Sequence, residues 1–381
     1  LGALALGPSR GPATGRPVLP ADGPAPADGP APAPSSPTTG TEPLATPGPG
    51  SGSAGPGLAG WSGYGDLRVL ATHEPDGLMP RSVSLSGDGS LLAASGETGS
   101  IRLFRAPADG ATTLVPVSET DDPRRTSAGA GTGWAPAVSL DPAGTLLAAS
   151  WDDGAVMLWD VADPARPRRL QTIGPLTMYV PDVLFSPDGR WLATAGYDNR
   201  VRLWRVADRR LVAGPVLTTR SDALALAWSP DGRRLAAASY DETVVWDTSD
   251  PASPRAVSTV PTKTQGQMDL TFSPDGRTLW ATGEVPGGFD VAVPRARRTA
   301  DLPAATQYLA ADPVDGTVLT VEAKGQAALR TPTGSGALRR TGTGRIPGWA
   351  ASGDRGIAFD ASGSRAALLT EGTGIVLLDT R

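Results

Sequence analysis

A segment of about 45 residues recurs seven times from Ser84 onward, and this repeat restricts the fold more than any other feature of the chain. Its clearest copy, residues 183–206, reads VLFSPDGRWLATAGYDNRVRLWRV. Apolar residues alternate before a Ser-Pro-Asp-Gly turn, in which Pro suits a φ near −65° and Gly suits a positive φ. The pattern predicts three short antiparallel strands joined by two tight turns.

The spacing of the turn glycines predicts the architecture. Successive turn glycines are separated by 40 to 55 residues, and they stand at Gly89, Gly144, Gly189, Gly232, Gly276, Gly316 and Gly363. A blade of four antiparallel strands uses roughly 40 to 45 residues, so a fourth strand fits after the third strand of each copy. We therefore predict an all-β fold, a seven-bladed β-propeller of four-stranded antiparallel blades.

Candidates for the fourth strand follow six of the seven copies, at residues 113–117, 169–172, 210–216, 255–260, 298–302 and 337–341. The seventh copy runs to Arg381 and has no residues left for a fourth strand. Residues 67–72 (LRVLAT) precede the first copy and are similar to the other outer strands. We predict that this segment, near Val69, closes the ring beside Val376, because an open sheet edge would expose unpaired backbone groups.

The first 60 residues have a different composition. Of these, 38 are Pro, Gly or Ala and none is aromatic, so the segment cannot bury enough apolar surface to fold. We predict a disordered Pro/Gly/Ala-rich linker over residues 1–60 and the propeller over 61–381. Residues 1–7 (LGALALG) are apolar, and two interpretations stay open: the tail of a membrane span or signal segment, or an arbitrary start. The first would place the propeller outside the cytoplasm on a membrane tether, whereas the second is compatible with the cytoplasm.

Composition excludes several classes of function. The chain has no Cys and one His, His73, which removes thiol nucleophiles and Cys/His zinc sites. Neither of its two lysines, Lys263 and Lys324, follows a glycine, so the sequence contains no phosphate-binding P-loop. A net charge of −5 lacks the positive field that nucleic acid requires. We predict no catalytic residue, no metal, no cofactor and no nucleic-acid partner, and no apolar run reaches the roughly 20 residues of a membrane span.

Three central copies carry a recognisable signature, in which SPDGR is followed by LA, a turn Asp and a terminal LW or VW. In these residues the chain resembles the WD-repeat β-propeller family from about Asp66 to Arg381, and residues 159–167 (WDVADPARP) resemble the repeat arrays of large multidomain bacterial regulators. The family's Gly-His pair, which bonds to the turn Asp and the Trp, is absent. We therefore expect stability to depend mainly on apolar packing between blades.

Acidic residues recur in the tight turns, where they could act as catalytic carboxylates or shape the turns themselves. Asp88, Asp188, Asp231 and Asp275 stand at the same position of different blades, at least one blade apart, which favours repeated turn chemistry over a converging catalytic pair. Asp153, Asp198 and Asp241 keep the family's turn position, where each carboxylate can accept N–H groups of its own turn. The acidic pair at Asp152 lacks the spacing of a calcium loop.

Candidate binding residues lie just before the inner strand of a blade. In WD-repeat proteins this connection opens on the narrow face around the central channel, and here an insertion at residues 118–136 lengthens one of them. Aromatic, Met and Arg side chains are typical of binding hot spots, although each could instead cover the end of its own blade. The candidates are Trp134, Met178, Tyr179, Arg220, Gln267, Met268, Tyr308 and Trp349.

The resemblance implies a non-catalytic scaffold for protein-protein interaction or a regulatory binding module. It would be a monomeric propeller that presents one face to a protein or peptide partner. Two alternatives stay open: a ligand-sensing domain of a membrane-attached signalling protein, and a propeller-type hydrolase that uses His, Glu and a bound metal in its channel.

Overall fold

A computed structural model describes most of the repeat region. The described residues are 68–73, 80–96, 99–107, 113–121, 135–264, 268–322, 325–333, 338–345, 356–370 and 374–380. The predicted linker, residues 1–60, lies outside this part of the chain and stays a prediction.

Among the described residues, 28 β-strands form seven four-stranded antiparallel sheets. The first strand is β1 (Arg68–His73), and blade 1 then contains β2 (Pro80–Leu85), β3 (Leu91–Gly96), β4 (Ser100–Arg105) and β5 (Pro116–Asp121). Blade 2 contains β6 (Val138–Leu140), β7 (Leu146–Ser150), β8 (Val156–Asp160) and β9 (Arg168–Ile173). Blade 3 contains β10 (Asp182–Phe185), β11 (Trp191–Gly196), β12 (Arg200–Ala207) and β13 (Arg210–Thr218).

The remaining blades follow the same order. Blade 4 contains β14 (Ala223–Trp228), β15 (Arg234–Ser239), β16 (Thr243–Asp247) and β17 (Arg255–Val260). Blade 5 contains β18 (Leu270–Phe272), β19 (Thr278–Ala281), β20 (Gly287–Asp290) and β21 (Arg297–Asp301). Blade 6 contains β22 (Thr306–Ala311), β23 (Val318–Glu322), β24 (Gln326–Pro332) and β25 (Leu338–Arg345), and blade 7 contains β26 (Ile357–Phe359), β27 (Arg365–Thr370) and β28 (Gly374–Asp379). The predicted seven-bladed all-β propeller is confirmed.

The ring is closed by the strand that precedes the first repeat. β1 pairs antiparallel with β28, so that Val69 lies opposite Leu378 and Thr72 opposite Val376. The fourth strand of blade 7 therefore comes from the other end of the repeat region, as the sequence predicts. This pairing covers the edge of β28, which would otherwise present unpaired backbone groups.

The outer strand of blade 1 differs from its prediction. It spans residues 116–121 rather than 113–117, because Leu114 turns towards blade 7. The Leu114 N–H donates to the Thr72 carbonyl at 2.8 Å, and its side chain is buried beside Ala71. The insertion in the following connection thus begins after Asp121 rather than at Ser118.

In four blades, the turn between the first and second strands contains the same hydrogen bonds among its own residues. In blade 3, Asp188 Oδ1 accepts hydrogen bonds from Ser186 Oγ at 2.6 Å and from the Arg190 N–H at 3.0 Å, while Ser186 Oγ accepts one from the Trp191 N–H. The same three bonds surround Asp88, Asp231 and Asp275. Gly189 adopts a φ of 69°, which favours glycine. These aspartates shape turns.

Apolar clusters lie between neighbouring blades, and a few side-chain hydrogen bonds connect the inner strands of neighbouring blades. Ser139 Oγ accepts a hydrogen bond from the Phe185 N–H at 3.0 Å, and Asp182 Oδ2 accepts one from the Leu226 N–H at 2.8 Å. The Trp204 indole donates to Thr194 Oγ1 at 3.2 Å. By contrast, the buried indole nitrogens of Trp159 and Trp280 have no hydrogen-bond partner among the described residues. Apolar clusters span the contacts between blades 1 and 2 and between blades 4 and 5, where the expected apolar packing would act.

Candidate binding face

Antiparallel strand order separates the connections of the propeller into two sets. One end of the blades carries the tight turns between first and second strands and between third and fourth strands; we call it the turn face. The opposite end, the loop face, carries the turns between second and third strands and the connections from one blade to the next. Described parts of the loop face include residues 151–155, 174–181, 197–199, 219–222, 240–242, 261–264 and 282–286.

The connection into blade 3, residues 174–181, is held in place by its neighbours. The Leu176 N–H donates to the Gly154 carbonyl of blade 2 at 2.9 Å, and the Tyr197 N–H donates to the Tyr179 carbonyl at 3.0 Å. Arg202 Nη2 donates to the Leu176 carbonyl at 3.4 Å. Contacts from two blades therefore hold this loop in place.

The Arg202 guanidinium is itself positioned by an ion pair. Its two terminal nitrogens donate to both carboxylate oxygens of Asp198, at 3.1 Å and 2.6 Å. The expectation that each turn Asp bonds to its own turn is met at Asp153, which accepts the Ala155 N–H at 3.0 Å. Asp198 instead orients the arginine that supports the neighbouring loop.

Two features of this loop are suited to binding. Met178 is 81% exposed, the highest value among the large hydrophobic residues of the described chain. Beside it in sequence, the Tyr179 ring packs edge-on against Tyr197, with ring centroids 4.9 Å apart. An accessible thioether therefore stands next to a fixed aromatic pair. Both groups offer a large contact area, and the aromatic pair offers it at a limited cost in conformational entropy.

A charged pair lies on the next blade of the same face. Arg220 Nε is 3.5 Å from Glu242 Oε1, and the arginine side chain remains 72% exposed. Exposed ion pairs of this kind contribute little to stability. Its guanidinium is nevertheless accessible for planar, bidentate contacts with a partner.

The inner strands of all seven blades line a central channel of about 440 Å³. Its carboxylates already bind backbone groups: Asp269 Oδ2 accepts the Leu309 N–H at 3.1 Å, and Asp360 Oδ1 accepts the Arg365 N–H at 3.1 Å. The described residues include no group of three or more His, Cys, Asp or Glu side chains that could hold a metal ion. The hydrolase alternative gains no support from this channel.

Comparisons with known proteins agree with this geometry. The model of the family "WD domain, G-beta repeat" matches residues 168–205 and 215–247, in blades 2 to 4. The chain is a seven-bladed β-propeller that contains WD40 repeats, and we call it the WD40 propeller. A chain in a crystal structure of a mitotic checkpoint complex superposes with a TM-score of 0.60 at 15% identity, over 82% of this chain and 92% of that one. At this identity the likeness shows the fold alone, and no curated protein matches the sequence significantly.

Three of the candidate residues reach the surface of the WD40 propeller at the loop face: Met178, Tyr179 and Arg220. Met268 is only 3% exposed and Tyr308 only 2%, and both pack in the apolar clusters between blades. The Tyr308 ring lies against Gly356 of the next blade, where a Cβ would approach its Cδ1 to 2.8 Å. Trp134, Gln267 and Trp349 lie outside the described residues.

Sequence reasoning missed the residues that support the loop. Tyr197 follows the second strand of its blade, and Trp151 and Tyr240 occupy the same repeat position. Aligning the repeats would therefore have identified an aromatic position on the loop face of the WD40 propeller. No sequence pattern marks Arg202 and Gly154 as supporting residues, because both act by contacting Leu176 in the connection between blades 2 and 3.

In the described part of the WD40 propeller, no helix has the length and apolar character needed to cross a bilayer.

Proposed function

We propose that this WD40 propeller is a non-catalytic interaction module that docks a protein partner on its loop face, at blades 3 and 4. The observation that carries the proposal is Met178, an 81% exposed apolar side chain on a loop held by contacts from two blades. A fixed loop loses little conformational freedom on association, so its contact area contributes more fully to affinity.

The neighbouring side chains suggest how a partner is recognised. Met178 and the Tyr179–Tyr197 pair supply apolar and aromatic contact, while Arg220 supplies a directional charged group. Such residues are enriched at the centre of protein interfaces. Met178 projects from the surface, so we infer a folded partner with a complementary apolar pocket.

The path of the chain supports the choice of face. Arg68, the first residue of β1, lies opposite Asp379 at the turn-face end of β28. The closing strand β1 therefore begins at the turn face, at the opposite end of the blades from Met178. The loop face also carries the connections of unequal length, where binding residues are usually found.

WD40 propellers in general serve as interaction modules rather than enzymes. The similar chain from the mitotic checkpoint complex is itself part of an assembly, which agrees with this use of the fold. The proposal extends to Trp134 and Trp349, which the sequence assigns to the same kind of connection.

The test is a pull-down with the purified full chain as bait, followed by affinity measurement on the recovered partner. Met178→Ala and Arg220→Ala should each weaken binding by about tenfold, or about 1.4 kcal/mol. Their melting temperatures should stay close to that of the wild type, because both side chains are exposed. Val314→Ala is the matched control, since Val314 is 59% exposed on the turn face. Equal loss of binding in the control, or a large loss of stability in Met178→Ala, would contradict the proposal.

A further inference from the structure

The sulfur chemistry of this chain is restricted to methionine. The sequence has four Met and no Cys, so every sulfur atom is a thioether. Met157 is fully buried and Met268 is 3% exposed, whereas Met178 is 81% exposed. Met79, the fourth, lies outside the described residues. Within the described chain, an oxidant in solution therefore reaches one sulfur atom far more readily than the others.

An accessible thioether reacts directly with a hydroperoxide. A sulfur lone pair attacks one oxygen of hydrogen peroxide and the O–O bond breaks. The proton of the attacked oxygen passes, directly or through solvent, to the departing hydroxide, which leaves as water. The sulfur loses two electrons and becomes a sulfoxide, while the peroxide is reduced by the same two electrons. The product replaces a flexible apolar group by a polar, chiral one, and sulfoxide reductases reverse the change.

Oxidation of Met178 would change the chemistry of the loop face, because this side chain projects from a loop that is held in place. Its loop is fixed by Gly154, Arg202 and Tyr197, so oxidation alters the chemistry of the protruding group without needing to move the backbone. The two described methionines in the blade cores are shielded by packing. Oxidation should consequently change the surface of the propeller and leave its stability unaffected.

We propose that Met178 is a peroxide-sensitive modification site, at which reversible conversion to the sulfoxide makes the loop face polar and weakens partner docking. The second half of this statement rests on the proposed function and deepens it by adding a means of regulation. The selectivity of the reaction is independent of any partner.

The first experiment measures selectivity with hydrogen peroxide alone. The purified full chain, carrying Met79→Leu to remove the sulfur outside the described region, is oxidised and followed by peptide mass spectrometry. Peptides containing Met178 should gain one oxygen more than tenfold faster than those containing Met157 or Met268, with no shift in melting temperature. Equal rates, or a clear drop in melting temperature on oxidation at Met178, overturn the proposal.

The second experiment measures docking with the same bait before and after peroxide treatment. Oxidised bait should capture several-fold less partner, and treatment with methionine sulfoxide reductase should restore capture. Met178→Leu cannot form a sulfoxide, so peroxide should leave its capture unchanged, whatever its own level. Loss of capture in Met178→Leu after peroxide would place the sensitive group elsewhere.

The outcomes separate the two proposals. If Met178→Ala weakens capture but oxidation at Met178 does not, the modification proposal fails and the docking face stands. If neither the substitution nor oxidation changes capture, including when no partner is captured at all, the regulatory proposal fails together with the docking face.

Discussion

The turn face and the loop face of this propeller are built on different principles. On the turn face, four blades repeat the same bonds among a Ser, an Asp and the following amides, all within six residues of sequence. On the loop face, the connection into blade 3 is held by Gly154, Tyr197 and Arg202, which come from two blades. The hydrogen bonds repeated in the turns shape each blade in the same way. The contacts of the connection into blade 3 involve residues of two blades and give this part of the loop face its own conformation.

The largest expected loss of stability comes from replacing a glycine on the loop face, and a glycine on the turn face serves as the comparison. Gly154 and Gly189 both have positive φ, at 79° and 69°. A Cβ on Gly154 would collide with the carbonyl oxygen of Thr177 in the adjacent loop, while a Cβ on Gly189 would come no closer than 3.4 Å to Pro142. Gly154→Ala should therefore lower the free energy of unfolding by about 3 kcal/mol, and Gly189→Ala by about 1 to 2 kcal/mol.

Urea denaturation measures both changes, and partner capture adds a second readout. Gly154→Ala displaces the Met178 loop and should reduce capture, whereas Gly189→Ala should not. Equal effects on capture would show that the two faces are not independent.

An intermediate effect is expected from removing one supporting side chain on each face. Arg202→Met keeps the aliphatic stem but deprives Asp198 and the Leu176 carbonyl of their donor, so stability should fall by about 1 to 2 kcal/mol and capture should weaken. Ser186→Ala, its counterpart on the turn face, should reduce stability by about 1 kcal/mol and leave capture unchanged. Thermal unfolding measures the stability of the two variants, and a capture assay measures their binding. Unaltered capture in Arg202→Met would mean that the loop does not need this support.

The smallest expected effect concerns acid. Hydrogen bonds from the Ser86 hydroxyl and the Ser90 amide lower the pKa of Asp88, and those from the Ser249 amide and hydroxyl lower the pKa of Asp247. A carboxyl with a lowered folded-state pKa contributes stability above its ordinary pKa, near 4, and this contribution is lost as the pH falls through the folded value. Both residues lie on the turn face.

The double variant Asp88→Asn and Asp247→Asn should show a shallower loss of stability between neutral pH and about pH 3 than the wild type. The urea midpoint as a function of pH measures this slope. Identical slopes in the two proteins would indicate that these turn carboxylates do not contribute to acid sensitivity.

The number of blades and the closure of the ring could be predicted because the residues that form each tight turn lie close together in the sequence. Pro, Gly and Asp in the tight turns have steric or hydrogen-bonding reasons to be there, and their period counts the blades. Even the closing strand near Val69 followed from the missing fourth strand of the last repeat. The start of β5 did not, since Leu114 is buried in the apolar cluster between blades 1 and 7.

The candidate site was predicted less completely than the fold. The sequence pattern placed both Met178 and Tyr308 before an inner strand, but Met178 precedes β10 and is 81% exposed, whereas Tyr308 is the third residue of β22 and is 2% exposed. The Tyr308 ring packs against Gly356 of the next blade, whose missing side chain leaves room for it. Such a contact joins residues nearly 50 positions apart, which no repeat pattern reveals.

Turn chemistry and periodicity, both readable within a few residues, were sufficient to establish how many blades form and how the ring closes. Which side chains reach solvent on the loop face was decided by packing between blades, because each loop rests on groups that the ring brings together from distant repeats. The Met178 loop is an example. Nothing in its own sequence indicates that it is held in place, and its position depends on contacts with Gly154 and Arg202.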